Sequence, residues 1–131
     1  MSKHSKSKHR VLGFISTSFS ETAGLILPAN ALVPLTSQIF ALNINIAPLG
    51  GLIIQKAGTY GITFNGNSSI PATFQIFAKD RLIASVSNLP ESALTKVADI
   101  TAYLAENEIL YVKTADGITL SDANLTAARL H

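Results

Sequence analysis

Proton transfer or metal binding in this 131-residue chain would fall mainly to eight carboxylates and three histidines, and their spacing argues against either. His4 and His9 sit in a Lys/Ser-rich leader and His131 is the last residue, which is a poor basis for the rigid, convergent ligands a metal site needs. Asp80, Glu106, Glu108, Asp116 and Asp122 mostly fall in expected turns, where a carboxylate ordinarily bonds the local backbone. Paired acids doing acid–base work need burial in a cleft, and Glu106 and Glu108 flank a turn instead. Were several turn tips to meet at one end of the molecule, their oxygens could hold a structural cation; no other cofactor is indicated. Serines are plentiful, but no Gly-x-Ser-x-Gly elbow is present, and there is no cysteine to act as nucleophile, thiolate ligand or disulfide partner. The chain does not read as an enzyme.

Charge is scarce and unevenly placed. Charged residues make up 14% of the chain, against roughly 25% in an ordinary soluble domain. Lys3, Lys6, Lys8 and Arg10 lie within the first ten residues, which hold no acid, while the other 121 carry six basic and eight acidic side chains. The leader is thus a basic arm on a weakly acidic body. Four cations without interleaved aromatics do not make a specific nucleic-acid site. A surface this poor in charge favours coverage by a partner, and self-association is the expected form. No stretch approaches the ~20 apolar residues of a membrane span. No convincing signal peptide is seen either, because the apolar run behind the leader, Val11–Ile15, is short and broken.

The elements that must position any site are strands. Side chains at Tyr60, Ile62 and Phe64 alternate to one face of an extended segment opened by Gly58. Phe74 and Ile76 share a face, Lys79-Asp80 offers a tight hairpin, and Leu110 alternates with Val112. Leu42–Ile46 alternates as one half-buried strand, and Asn65-Gly66-Asn67 reads as a turn. Pro28 and Pro34 confine their neighbourhood to edges and bends. Residues 92–105 carry both helical and strand spacing, and a lone helix would interrupt the series, so a strand is expected. Short strands with turns every 8–12 residues mark an all-β sandwich or jelly roll.

Three stretches, in order, carry a family likeness. Lys56–Phe64, with its Gly-x-Tyr-x-Ile-x-Phe strand, resembles the C1q/TNF-like jelly roll, as do Ile100–Val112 and the closing strand Leu125–Leu130. Asn107-Glu108 stands where that family has Gly-Asp. In its small-residue style the chain is most similar to the bacterial spore-surface branch: heads of collagen-like exosporium glycoproteins, basal-layer proteins and jelly-roll spore appendage subunits. The resemblance implies a two-sheet antiparallel jelly-roll sandwich with a flexible N-terminal arm, assembled as a homotrimer, and a place on the spore surface or exosporium.

On this reading residues 1–15 form a basic arm or connector and residues 16–131 the jelly roll. Val11, Leu12, Phe14 and Ile15 are expected to dock on the next subunit as an added strand, with head-to-tail polymerisation as one result. Tyr60, Ile62, Phe64, Phe74, Ile76, Leu104 and Leu110 are expected in the sandwich core, and Tyr103 and Tyr111 at trimer contacts, since tyrosine buries area while keeping a polar tip. The function expected is structural: a homotrimer that builds, or attaches to, a spore-surface layer or fibre, with an anchoring protein as a further partner. The alternative is a trimeric head recognising a carbohydrate or host receptor through loop tips such as Asn65-Gly66-Asn67 and Asn88-Leu89-Pro90.

Overall fold

A computed structural model of the chain describes residues 10–18, 25–68, 73–87 and 95–131. Its elements are strands: β1 Leu12–Ser18, β2 Leu25–Leu27, β3 Ala31–Leu32, β4 Ser37–Leu42, β5 Ile44–Ile46, β6 Leu52–Ile54, β7 Gly58–Ser68, β8 Thr73–Ala78, β9 Arg81–Ser87, β10 Thr95–Leu104, β11 Ile109–Thr114 and β12 Ile118–Arg129. They form two six-stranded antiparallel sheets. The first runs β10-β7-β12-β1-β4 and the second β5-β6-β11-β8-β9. Short β2 continues the line of β1 along β12, and β3 shares one flank of β11 with β6. The chain crosses between sheets at six of the eight connections from β4 to β12, as a jelly roll does.

Period-two alternation builds the core. Tyr60, Ile62 and Phe64 of β7 face Phe74 and Ile76 of β8 across the sandwich, with Leu104 and Leu110 beside them, and all seven are fully buried. The Phe64 and Phe74 rings lie 5.1 Å apart at a tilt of 54°, joining the two sheets at their centre. Tyr60 enters this apolar layer because its hydroxyl donates to the Lys56 carbonyl at 2.6 Å. Burial raises its pKa, partly offset by the nearby Arg129 guanidinium.

Several sequence expectations are revised. Asn65-Gly66-Asn67 is not a turn but the last third of an unbroken eleven-residue strand. Gly66 points inward, where a Cβ would lie 3.1 Å from the Phe64 ring and 3.2 Å from the Phe74 ring, so glycine here makes room for aromatics. Leu42–Ile46 is two strands, not one: Asn43 takes a left-handed φ of 59° and passes the chain from the first sheet to the second. The arm also ends earlier than residue 15. Leu12–Ser18 is paired with β12 throughout, and with β4 from Leu12 to Ser16, which makes β1 an interior strand of its sheet. Residues 1–9 lie outside the described residues.

The ambiguous stretch is a strand where it is described. Ile100, Ala102 and Leu104 face inward, while Asp99, Thr101 and Tyr103 face out. The Glu106-Asn107 turn that follows uses Asn107 at φ 73°, a conformation asparagine tolerates nearly as glycine does.

Candidate functional site

The outer face of the first sheet combines a polar centre with exposed apolar flanks. Its centre is a set of short polar side chains that satisfy one another across strands. Asn65 Nδ2 donates to Asn124 Oδ1 at 3.1 Å, Asn67 Nδ2 to Asp122 Oδ1 at 2.9 Å, and Thr63 Oγ1 lies 3.5 Å from Asp99 Oδ1. Such cross-strand pairs rigidify the sheet. The charged members of those pairs are Asp99 and Asp122.

Apolar groups flank that centre. On one side Phe14 stands opposite Phe40 and Leu12 opposite Leu42, with Phe40 47% exposed and Leu42 36% exposed. On the other, Tyr103 lies opposite Thr59 and is 59% exposed. Leu130, 54% exposed, is held over Gly61 by its amide, which donates to the Thr59 carbonyl at 2.7 Å. Exposed aromatic and aliphatic groups around a nearly uncharged centre are the composition of a contact surface.

The expected site residues divide between surfaces. Tyr103 belongs to this face. Tyr111 does not: it lies on the outer face of the second sheet, its ring stacked on Phe77 at 5.4 Å and 8°, its hydroxyl donating to the Lys79 carbonyl at 2.6 Å. Burial raises the Tyr111 pKa, helped by the Asp80 charge. The expected connector also splits. Val11 and Ile15 are buried in the core, whereas Leu12 and Phe14 face outward. With β1 paired on both flanks, its backbone has no free edge to donate to a neighbour, so the proposed added strand is not Val11–Ile15. Phe40, Leu42 and Leu130 were not singled out by the sequence reading; the uncharged run Ile39–Leu42 behind Pro34 was the available signal.

The candidate acids are occupied locally. Asp116 Oδ2 accepts the Thr73 amide at 3.0 Å, and Asp122 accepts Asn67. Glu108 Oε1 accepts both the Ala105 amide and Arg81 Nη2 at 2.8 Å. No group of three potential metal ligands occurs among the described residues. Of the two loops assigned to the binding alternative, Asn65-Gly66-Asn67 is strand, and Asn88-Leu89-Pro90 lies outside the described residues.

Glu108 gives a pH prediction. Burial opposes its ionisation, but the Ala105 amide, Arg81 and the more distant Lys79 outweigh this and hold its pKa below the ordinary 4.5. A depressed carboxylate stabilises the fold fully above its unfolded-state value and loses that contribution as pH falls through the folded one. Acid unfolding of the Glu108→Gln variant is therefore expected to show a shallower loss of midpoint temperature below pH 4.5 than the parent chain. Identical acid limbs would show that the pair with half-exposed Arg81 contributes nothing measurable.

Comparison with known proteins adds the fold's relatives. No family model matches the chain, and no curated protein is similar to it in sequence. Solved structures do match. The globular domain of zebrafish complement 1qA protein superposes with a TM-score of 0.70 at 11% identity, covering 92% of this chain and 98% of that one. The PRD1 vertex protein P5 gives 0.71 at 17% identity, with 92% and 97% covered. Murine APRIL gives 0.69 at 9% identity, with 92% and 99% covered. The fold is thus a C1q/TNF-like jelly roll over nearly the whole chain.

Proposed function

We propose that this chain is a non-enzymatic structural protein: a homotrimeric C1q/TNF-like head in which three copies pack through the outer faces of their first sheets. The carrying observation is the exposure of Tyr103, Leu130, Phe40 and Leu42 around a charge-poor, self-satisfied polar centre. The trimer in turn builds, or attaches to, a surface layer or fibre. We propose that this layer belongs to a spore, a reading that rests on the sequence resemblance alone. Lys3, Lys6 and Lys8 precede Arg10 in the sequence and supply the positive charge for a connector to a neighbouring trimer or an anchoring protein.

Sedimentation of the full chain at micromolar concentration is expected to give a trimer. Tyr103→Asp and Phe40→Asp each place a charge on the contact face at an exposed position, so both should fold, with unchanged circular dichroism, yet sediment as monomers. A parent chain that is monomeric, or variants that stay trimeric, would overturn the assignment. Removing residues 1–9 should leave the trimer intact and abolish longer assemblies seen by electron microscopy; unchanged polymers would remove the connector role.

A further inference from the structure

A second surface, on the sheet opposite the contact face, is shaped for a small ligand. On the outer side of the second sheet a cleft of about 920 Å³ lies between the Ala47–Gly51 turn, the Lys79-Asp80 hairpin and the Ala105–Glu108 turn. That volume falls in the roughly 300–1,000 Å³ range of small-molecule sites. Its walls are chiefly apolar, with Leu32, Leu49, Ile109 and Tyr111 among them; Leu49 is 76% exposed and Ile109 38% exposed. These are side chains that a folded domain gains little by leaving in water.

All three walls are held by backbone hydrogen bonds. The Ala47 amide donates to the Gly51 carbonyl at 2.9 Å, and the Asn107 amide to the Ile54 carbonyl at 2.7 Å. The Lys79 amide donates to the Ile109 carbonyl at 2.9 Å, while Lys79's own carbonyl holds the Tyr111 hydroxyl at 2.6 Å. Because the walls are already ordered, binding would cost little conformational entropy.

Charge then narrows the ligand class. Lys113 lines the cleft, half-buried beside the Phe77–Tyr111 stack, with its ammonium 5.7 Å from the Phe77 ring centroid. Among the described residues it has no carboxylate partner. Of the acids lining the cleft, Glu108 is already engaged by Arg81 and the Ala105 amide, and Asp80 and Glu106 stand at the exposed rim. We propose that this cleft binds a small apolar anion, an aromatic or branched aliphatic body seated against Tyr111, Leu49 and Ile109 with its carboxylate-type group on Lys113.

The test uses the full chain with two matched probes, 2-naphthoate and the neutral 2-naphthalenemethanol, titrated by calorimetry and mapped by amide shifts. The expected result is tighter binding of the naphthoate, with shifts at Gly50, Ile109 and Tyr111. Lys113→Gln should weaken naphthoate about tenfold or more while leaving the neutral probe unchanged. Leu49→Asn, at an exposed position that folding does not require, should weaken both about three- to tenfold. Equal affinity for the two probes, insensitivity to Lys113→Gln, or shifts confined to the Phe40–Tyr103 face would each overturn the proposal.

Discussion

Phe64→Ala is expected to lower the thermal midpoint by about 10–20 °C, a loss of roughly 3–5 kcal/mol. Phe64 is fully buried on the central strand pair of the first sheet, between Ala98 and Leu125 in register. Its ring meets Phe74 of the opposite sheet, so the side chain is a bolt between layers as well as buried area. The void left by truncation has little to fill it, because the neighbour that already lies against the ring is Gly66, which has no side chain to move in. That places the cost toward the upper end for aromatic truncations. Phe64→Leu keeps most of the volume and should lose about 1 kcal/mol. Both should be measured at one fixed protein concentration, since assembly adds to apparent stability. A loss below about 1 kcal/mol for Phe64→Ala would place the centre of the sandwich elsewhere.

The same residues show how far the fold is legible in sequence. Tyr60, Ile62 and Phe64 declare an inward face because strand geometry leaves no other way to hide three bulky groups two apart. Failure came where a local signal met a tertiary demand. Asn-Gly-Asn is a hairpin signal in isolation, yet here Gly66 yields space to two rings while Asn65 and Asn67 find partners on β12. Leu42–Ile46 keeps its alternation across a change of sheet, and only the left-handed φ of Asn43, invisible in a hydrophobic pattern, separates the two strands. At the Asn107-Glu108 turn asparagine takes the positive φ, and the Glu108 carboxylate reaches back to the Ala105 amide.

The contact face was harder to read than the core. Leu12, Phe14 and Ile15 form one apolar run, and a run does not say which member faces water. Only the pairing of β1 with both β12 and β4 sends Ile15 inward and Phe14 out toward Phe40. Tyr103 was legible because tyrosine combines area with a polar tip. Leu130 was not, since its exposure follows from sitting over Gly61, a partner 69 positions away that the sequence does not name. The cleft was illegible for the same reason: its three walls are turns brought together by β6, β8 and β11.

Gly51→Ala is expected to be strongly destabilising for a single added methyl. Two independent costs fall on this position. Its φ of 123° lies where L-residues are strained, at about 1–3 kcal/mol. In addition a Cβ would stand 2.5 Å from the Leu110 carbonyl oxygen and 3.2 Å from the Tyr111 Cβ. The first of these is backbone of β11, an interior strand paired on both flanks, so it cannot swing aside as the end of a flexible side chain would. Relief requires moving the turn away from the sheet, which would break the hydrogen bond from the Gly51 amide to the Leu35 carbonyl and open one wall of the cleft. A total loss of about 3 kcal/mol or more follows, read as a fall of roughly 10 °C in midpoint. Gly117→Ala is the matched control. Gly117 sits in an exposed turn without a left-handed φ, and its Cβ would meet nothing nearer than 3.8 Å. That change should stay within about 0.5 kcal/mol of the parent. Equal stability of the Gly51 and Gly117 variants would mean that the Ala47–Gly51 turn is not packed on β11, and would remove the preformed wall on which ligand binding in the cleft depends.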